Sequence, residues 1–128
     1  MANELDHIYI FEDSNDYTHK IIFMQERIDP SPEQVNHSFN IIRELAADDE
    51  FFLLIDLSNS KPPSIKVRRA LKRNFNSLDN RPRKVFIFTG KNKFVNIAAK
   101  FVMSSAGLGD SLIFTLKEEA IKAIPKKR

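Results

Sequence analysis

Tyr17-Thr18-His19-Lys20-Ile21-Ile22-Phe23-Met24-Gln25 is the stretch that decides the fold. Its centre, Ile21 to Met24, is apolar and mostly β-branched or aromatic, so it reads as a strand. Leu5 to Glu12 reads the same way, and Asp13-Ser14-Asn15-Asp16 between the two is a cluster of turn formers. The pair predicts an antiparallel hairpin at the head of the chain. A helix at residues 17–25 would instead give a chain that opens β-α, a different kind of α/β protein.

Downstream, Ser31-Pro32-Glu33-Gln34 starts a helix. Ser31 caps it, Pro32 suits the first helical position, and Gln34 completes a Ser-x-x-Gln box. Val35, Phe39, Ile41, Ile42 and Leu45 line one face as far as Ala47. Asp48-Asp49-Glu50 is unfavourable at the negative end of a helix dipole and marks the exit. Phe51-Phe52-Leu53-Leu54-Ile55-Asp56-Leu57-Ser58 follows, a run apolar on both faces that reads as a central strand. Pro62-Pro63 delay the next helix until Ser64, which caps a segment from Ile65 to Leu78 with Val67, Leu71, Phe75 and Leu78 as its buried stripe. Asp79-Asn80-Arg81-Pro82 ends it.

Lys84 to Thr89 is a further buried strand, and Lys93 to Ser105 a third helix with the predicted stripe Phe94, Ile97, Ala98, Phe101 and Val102. Gly107 suits a left-handed helix end. Ser111 to Phe114 is the last strand. Thr115-Leu116-Lys117-Glu118 reads as a capping box for a short helix to Ile124, and Lys126-Lys127-Arg128 as a frayed tail. The order β-β-α-β-α-β-α-β-α predicts one α/β domain over residues 1–128, with a mixed sheet and right-handed helical crossovers.

Composition narrows the function. The chain has 128 residues and no cysteine, which excludes disulfides and thiolate chemistry and fits a reducing cytoplasm. No apolar run is long enough for a transmembrane segment, and the acidic start lacks a secretory signal core, so a cytoplasmic location is expected. The net charge of +3 hides an asymmetry. Residues 1–56 carry 13 acids and three Lys/Arg, whereas residues 57–128 carry four acids and 17 Lys/Arg. Either the halves complement each other in the fold, or a basic surface faces an acidic partner.

Three segments together resemble the STAS family, the fold of bacterial anti-sigma factor antagonists, and more closely its STAS-like bacterial members. They are Ile21-Ile22-Phe23 with Ile28-Asp29-Pro30 and a helix; Leu53 to Ser58; and Phe101 to Ala120, with Ala106-Gly107-Leu108 and Thr115-Leu116-Lys117-Glu118-Glu119-Ala120. The resemblance implies a non-catalytic module that acts by protein–protein interaction in bacterial signalling, without a cofactor. One departure stands out. Antagonists carry an Asp-Ser-Ser-Gly-like element with a phosphorylated serine at the start of the helix after the central strand. Here that region reads Lys61-Pro62-Pro63-Ser64-Ile65-Lys66, so the phosphoserine role does not transfer to Ser64.

The candidate binding site is the loop and helix after the central strand: Asp56, Ser58, Ser60 and Ser64 for orientation, with Lys66, Arg69 and Arg73 to steer an acidic protein or a second copy of the chain. The alternative role for Asp56 and Ser58 is to tie down their own loop. Eleven phenylalanines keep open a lipid or other apolar ligand. A receiver-like phosphoacceptor would use Asp56, with Glu12-Asp13 and Thr89 as accessory groups, but the Lys-Pro that follows that fold's last strand is absent. Gly90-Lys91 lacks the rest of a phosphate loop. His7, His19 and His37 lack metal-ligand spacing. The basic segment Lys61–Lys84 carries neither interleaved exposed aromatics nor a helix-turn-helix pattern, which argues against nucleic acid.

Overall fold

The computed structural model describes residues 7–11, 14–78 and 82–128. Lys20–Gln25 (β2) is extended and pairs antiparallel with Ile8–Ile10 (β1), Tyr9 opposite Phe23. The hairpin expected from the sequence is present, though both strands are shorter than Leu5–Glu12 and Tyr17–Gln25. Leu5, Glu12 and Asp13 lie outside the described residues. Ser14–Asp16 forms a turn of 3-10 helix between the strands.

Pro32–Ala46 (α1), Phe51–Asp56 (β3), Ile65–Asn76 (α2), Lys84–Phe88 (β4), Lys93–Ser105 (α3), Leu112–Phe114 (β5) and Lys117–Ala123 (α4) follow. The five strands lie in the order β1-β2-β3-β4-β5, and every pair after the first is parallel. Each crossover therefore advances the sheet in one direction. A right-handed crossover that always steps the same way places its helix on the same face each time. The packing agrees. Ile22, Met24, Leu53, Ile55, Val85 and Ile87 share one core with residues of α1, α2 and α3. Alternate strand positions, Ile21, Phe23, Phe52, Leu54, Phe86 and Phe88, point to the other face, where Ala120 and Ile124 at the end of the chain cover them with Tyr17. The two-residue period of a strand produces this division.

Several local devices appear where the sequence places them. Gln34 N–H donates to Ser31 Oγ at 3.1 Å, and Ser31 N–H donates to Gln34 Oε1 at 2.9 Å. Gly107 has φ +78° after α3. Two expectations need correction. The α4 cap sits one residue later than the Thr115–Glu118 box: Leu116 N–H donates to Glu119 Oε1 at 3.1 Å. Leu116 has no side-chain oxygen to return the bond, so half of the box is made. The tail is tied rather than frayed. Lys126 bridges to Tyr17, and Lys127 N–H donates to Asp16 O at 2.9 Å. These main-chain bonds could not be seen from a Lys/Arg-rich sequence.

Among the described residues, Ala47 alone combines a side chain with a positive φ, +51° at ψ −127°. A Cβ is strained there, and glycine is not. Ala47→Gly should therefore stabilise the fold by about 1 kcal/mol in urea unfolding, unlike most glycine substitutions. An unchanged or lowered midpoint would show that the Cβ bears no strain.

Candidate partner-binding site

The loop after β3 is laced to the loop after β2. Glu26 N–H donates to Asp56 O at 3.0 Å, and Lys61 N–H donates to Ile28 O at 2.8 Å. Ser60 is buried, and its Oγ donates to Arg27 O at 2.9 Å. Asp56 Oδ1 accepts from both Ser58 N–H at 2.8 Å and Ser58 Oγ at 2.6 Å. Ser64 Oγ caps α2 by accepting from Val67 N–H at 3.2 Å. The oxygens of Asp56, Ser58, Ser60 and Ser64 thus all serve the backbone or each other, the local tie that the sequence offered as the alternative reading. Gly90 lies against this loop at ordinary contact distance, in a left-handed conformation that favours glycine. Its φ is +65°, and a Cβ there would lie 3.5 Å from Ser58 Cβ.

Asp56 and Thr89 end neighbouring strands but share no hydrogen bond. The Thr89 hydroxyl, buried, donates to Gly90 O at 3.1 Å. The strand order has no reversal, and so it lacks the switch point at which doubly wound folds, receivers included, place their ligand crevice. Among the described residues no group of three or more His, Asp or Glu side chains converges as a metal-binding set. His19 stacks edge-on against Phe52 at 5.1 Å, with its Nδ1 3.5 Å from Glu50 Oε2.

Lys66, Arg69 and Arg73 stand exposed on α2, beside Lys72. The helix is anchored by its opposite face: Asn74 Nδ2 donates to Asn36 Oδ1 of α1 at 2.7 Å, and Phe75 meets Phe39 edge-to-face at 4.8 Å. Some of the sequence charge asymmetry is cancelled inside the fold. Arg83 of the basic part approaches Glu50 of the acidic part at 3.8 Å; Lys20 pairs with Asp49 at 2.9 Å within the acidic part. Among the described residues, no carboxylate pairs with the cations of α2 or α3.

The third helix departs from its predicted stripe. Ala98 and Val102 are buried as expected, but Phe94, Ile97 and Phe101 are 73%, 63% and 62% exposed. Val95, Ala99 and Met103 are buried in their place. The helix is apolar on two faces, and the one with the small alanines lies on the sheet, where close approach favours it. Between α3 and α2 is a pocket lined by Val67, Leu71, Phe75, Val95, Ala98 and Val102. Its free space is about 60 Å³.

Glu26 also lines this pocket, with a side chain 8% exposed. Its Oε1 accepts from Arg27 N–H at 2.8 Å and lies 3.4 Å from Arg27 Nη1. Burial raises the Glu26 carboxyl above its ordinary range, opposed more weakly by the Arg27 N–H bond and by His7. The folded state therefore holds this proton more tightly than the unfolded chain. Its contribution to stability is fully present below the unfolded value and is lost as pH rises through the folded one. Glu26→Gln escapes that loss and keeps an acceptor for Arg27 N–H. The melting temperature of Glu26→Gln relative to the parent should climb as pH goes from the ordinary carboxylate range towards neutrality. A difference independent of pH would remove the assignment.

Compared with family models, with curated proteins and with solved structures, the chain gives no match to any of the three at a significant level.

Proposed function

We propose that this chain is a non-catalytic binding module of STAS-like type, which engages an acidic protein partner through the loop after β3 and the exposed face of α2, within bacterial signalling in the cytoplasm. The observation that carries the reading is the row Lys66, Arg69, Lys72 and Arg73. The row is exposed, has no carboxylate partner among the described residues, and sits on a helix locked to α1 through Asn74 and Asn36, which Arg73 also reaches at 3.5 Å. A rigid cationic face of this kind raises the encounter rate with an acidic surface and fixes its orientation. Asp56, Ser58, Ser60 and Ser64 hold the loop and the helix start in place, so their part in binding is to position that face.

The order of elements supports the family part of the proposal, with an antiparallel first pair followed by crossovers that step one way. An apolar-ligand carrier is served less well. Small-molecule pockets measure roughly 300–1,000 Å³ and are mostly apolar; the apolar space between α2 and α3 is about 60 Å³, and the larger one of about 370 Å³ at the end of α1 has a mixed lining that includes Arg43 and Asp48. No described helix is long and apolar enough to cross a membrane.

The test is comparative capture from a bacterial lysate with the parent and with the Lys66→Glu, Arg69→Glu double variant. Both residues are exposed, so the melting temperature should hold. Recovery of the captured protein should fall about tenfold or more and should also weaken with added salt in the parent. Equal, salt-insensitive recovery would refute the reading. A phosphoryl gain in intact mass on incubation with acetyl phosphate, lost in Asp56→Asn, would replace it with phosphoacceptor chemistry.

A further inference from the structure

Phe94, Ile97 and Phe101 recur at i, i+3 and i+7 and form a stripe along the exposed side of α3, about 10 Å long at the helical rise. Ile65, at the first turn of α2, is 64% exposed. These exposed residues stand on the same two helices whose buried or half-buried residues, Val67, Leu71 and Phe75 of α2 and Val95, Ala98 and Val102 of α3, line the pocket. Large aromatic and aliphatic side chains left in water on one face mark an interaction site.

Two features say what fits there. The first is size. A cavity of about 150 Å³ holds benzene, so about 60 Å³ suits the tip of one aliphatic side chain and is too small for an acyl chain. An anchor residue of a polypeptide matches it. The second is charge. Lys66, Arg69 and Lys72 on α2, and Lys93 and Lys100 on α3, are exposed and without a carboxylate partner among the described residues. The carboxylate on the pocket wall, Glu26, is turned to Arg27, and α2 and α3 contain no acidic residue, so the two helices present a positive field. A groove between two helices, apolar inside and cationic at its edges, is the shape that takes an amphipathic helix by its apolar face.

We infer that the α2–α3 groove receives an acidic amphipathic helix of a partner protein, with one aliphatic side chain in the pocket and its carboxylates against the cations of α2 and α3. This rests on the binding-module reading above and adds the place and shape of the partner. A second copy of the chain does not supply an acidic helix: its own α3 stripe comes with Lys93 and Lys100 and no acid, and its other exposed large apolar residues among the described residues are Tyr9, Ile10, Ile28 and Leu116, on strand, loop and cap. A membrane, being flat, leaves the pocket empty.

The probe is a helical peptide with leucines at i, i+3, i+4 and i+7 and glutamates elsewhere, set against a scrambled peptide of the same composition. Amide shifts of the isotope-labelled full chain report the site and the affinity. The patterned peptide should bind about tenfold or more tighter than the scrambled one, and it should shift amides of α2 and α3. Phe94→Ser with Phe101→Ser should lose about tenfold or more of that affinity without lowering the melting temperature. Equal binding of the two peptides, no binding of either, or shifts away from the groove would overturn the inference. So would binding to phosphatidylserine vesicles in place of the peptide, or a dimer mass abolished by the double serine variant. Should the serine variant keep the native partner while Lys66→Glu, Arg69→Glu loses it, the groove assignment falls and the acidic-partner reading stands.

Discussion

Every parallel strand of this sheet lies beside its predecessor, an order for which crossovers of one hand put every crossover helix on the same face. That constraint settles where each helix goes. With no step back across the sheet, α1, α2 and α3 pile up on one face, and the crevice that a reversal would open between helices on opposite faces never forms. The space available to a partner is then whatever separates neighbouring helices on the crowded side. Here α1 and α2 are clamped by the Asn36–Asn74 hydrogen bond and the Phe39–Phe75 contact. Between α2 and α3 a pocket remains.

The same constraint explains why the polar residues at the end of β3 look like a site and behave as masonry. In a sheet with a switch point, Asp56 and Ser58 would open onto a ligand. In this one they face a neighbouring turn, where Gly90 comes close enough for its backbone to pack against Ser58. Their oxygens are used up in holding the loop. What reaches solvent is the cationic side of α2, whose position depends on that loop being rigid.

Much of the architecture was legible because short, strong local signals agreed with one another. The box at Ser31 and Gln34, the prolines before Ser64, and the apolar runs of β3 and β4 each fix a boundary within a residue or two, and their order yields the topology. The interaction surface was less legible. A helix apolar on two sides has one pattern in sequence and two environments in the fold, so periodicity alone assigned Phe94, Ile97 and Phe101 to the core. The clue was the pair Ala98-Ala99: small residues mark the face that packs tightly. The bonds of Lys126 and Lys127 to the Tyr17 region are made by backbone atoms and leave no trace in side-chain type. The charge asymmetry was plain in the sequence, but which charges cancel depended on topology, which put Glu50 next to Arg83 and, among the described residues, gave the cations of α2 no carboxylate.

The phenylalanine-rich face of the sheet has its own history during synthesis. Phe23, Phe52, Phe86 and Phe88 are shielded by Ala120 and Ile124, which leave the ribosome after all five strands. Until they arrive, three helices have closed one side of the sheet while the other stays greasy and open, the condition in which nascent chains stick to one another. Tyr17 and Lys126 then meet in an isolated bridge from distant parts of the sequence, a contact of long loop closure and correspondingly slow formation. The segment from α4 to Lys127 thus acts as a latch on the sheet, and a nascent chain stalled before it should be the form that calls on chaperones.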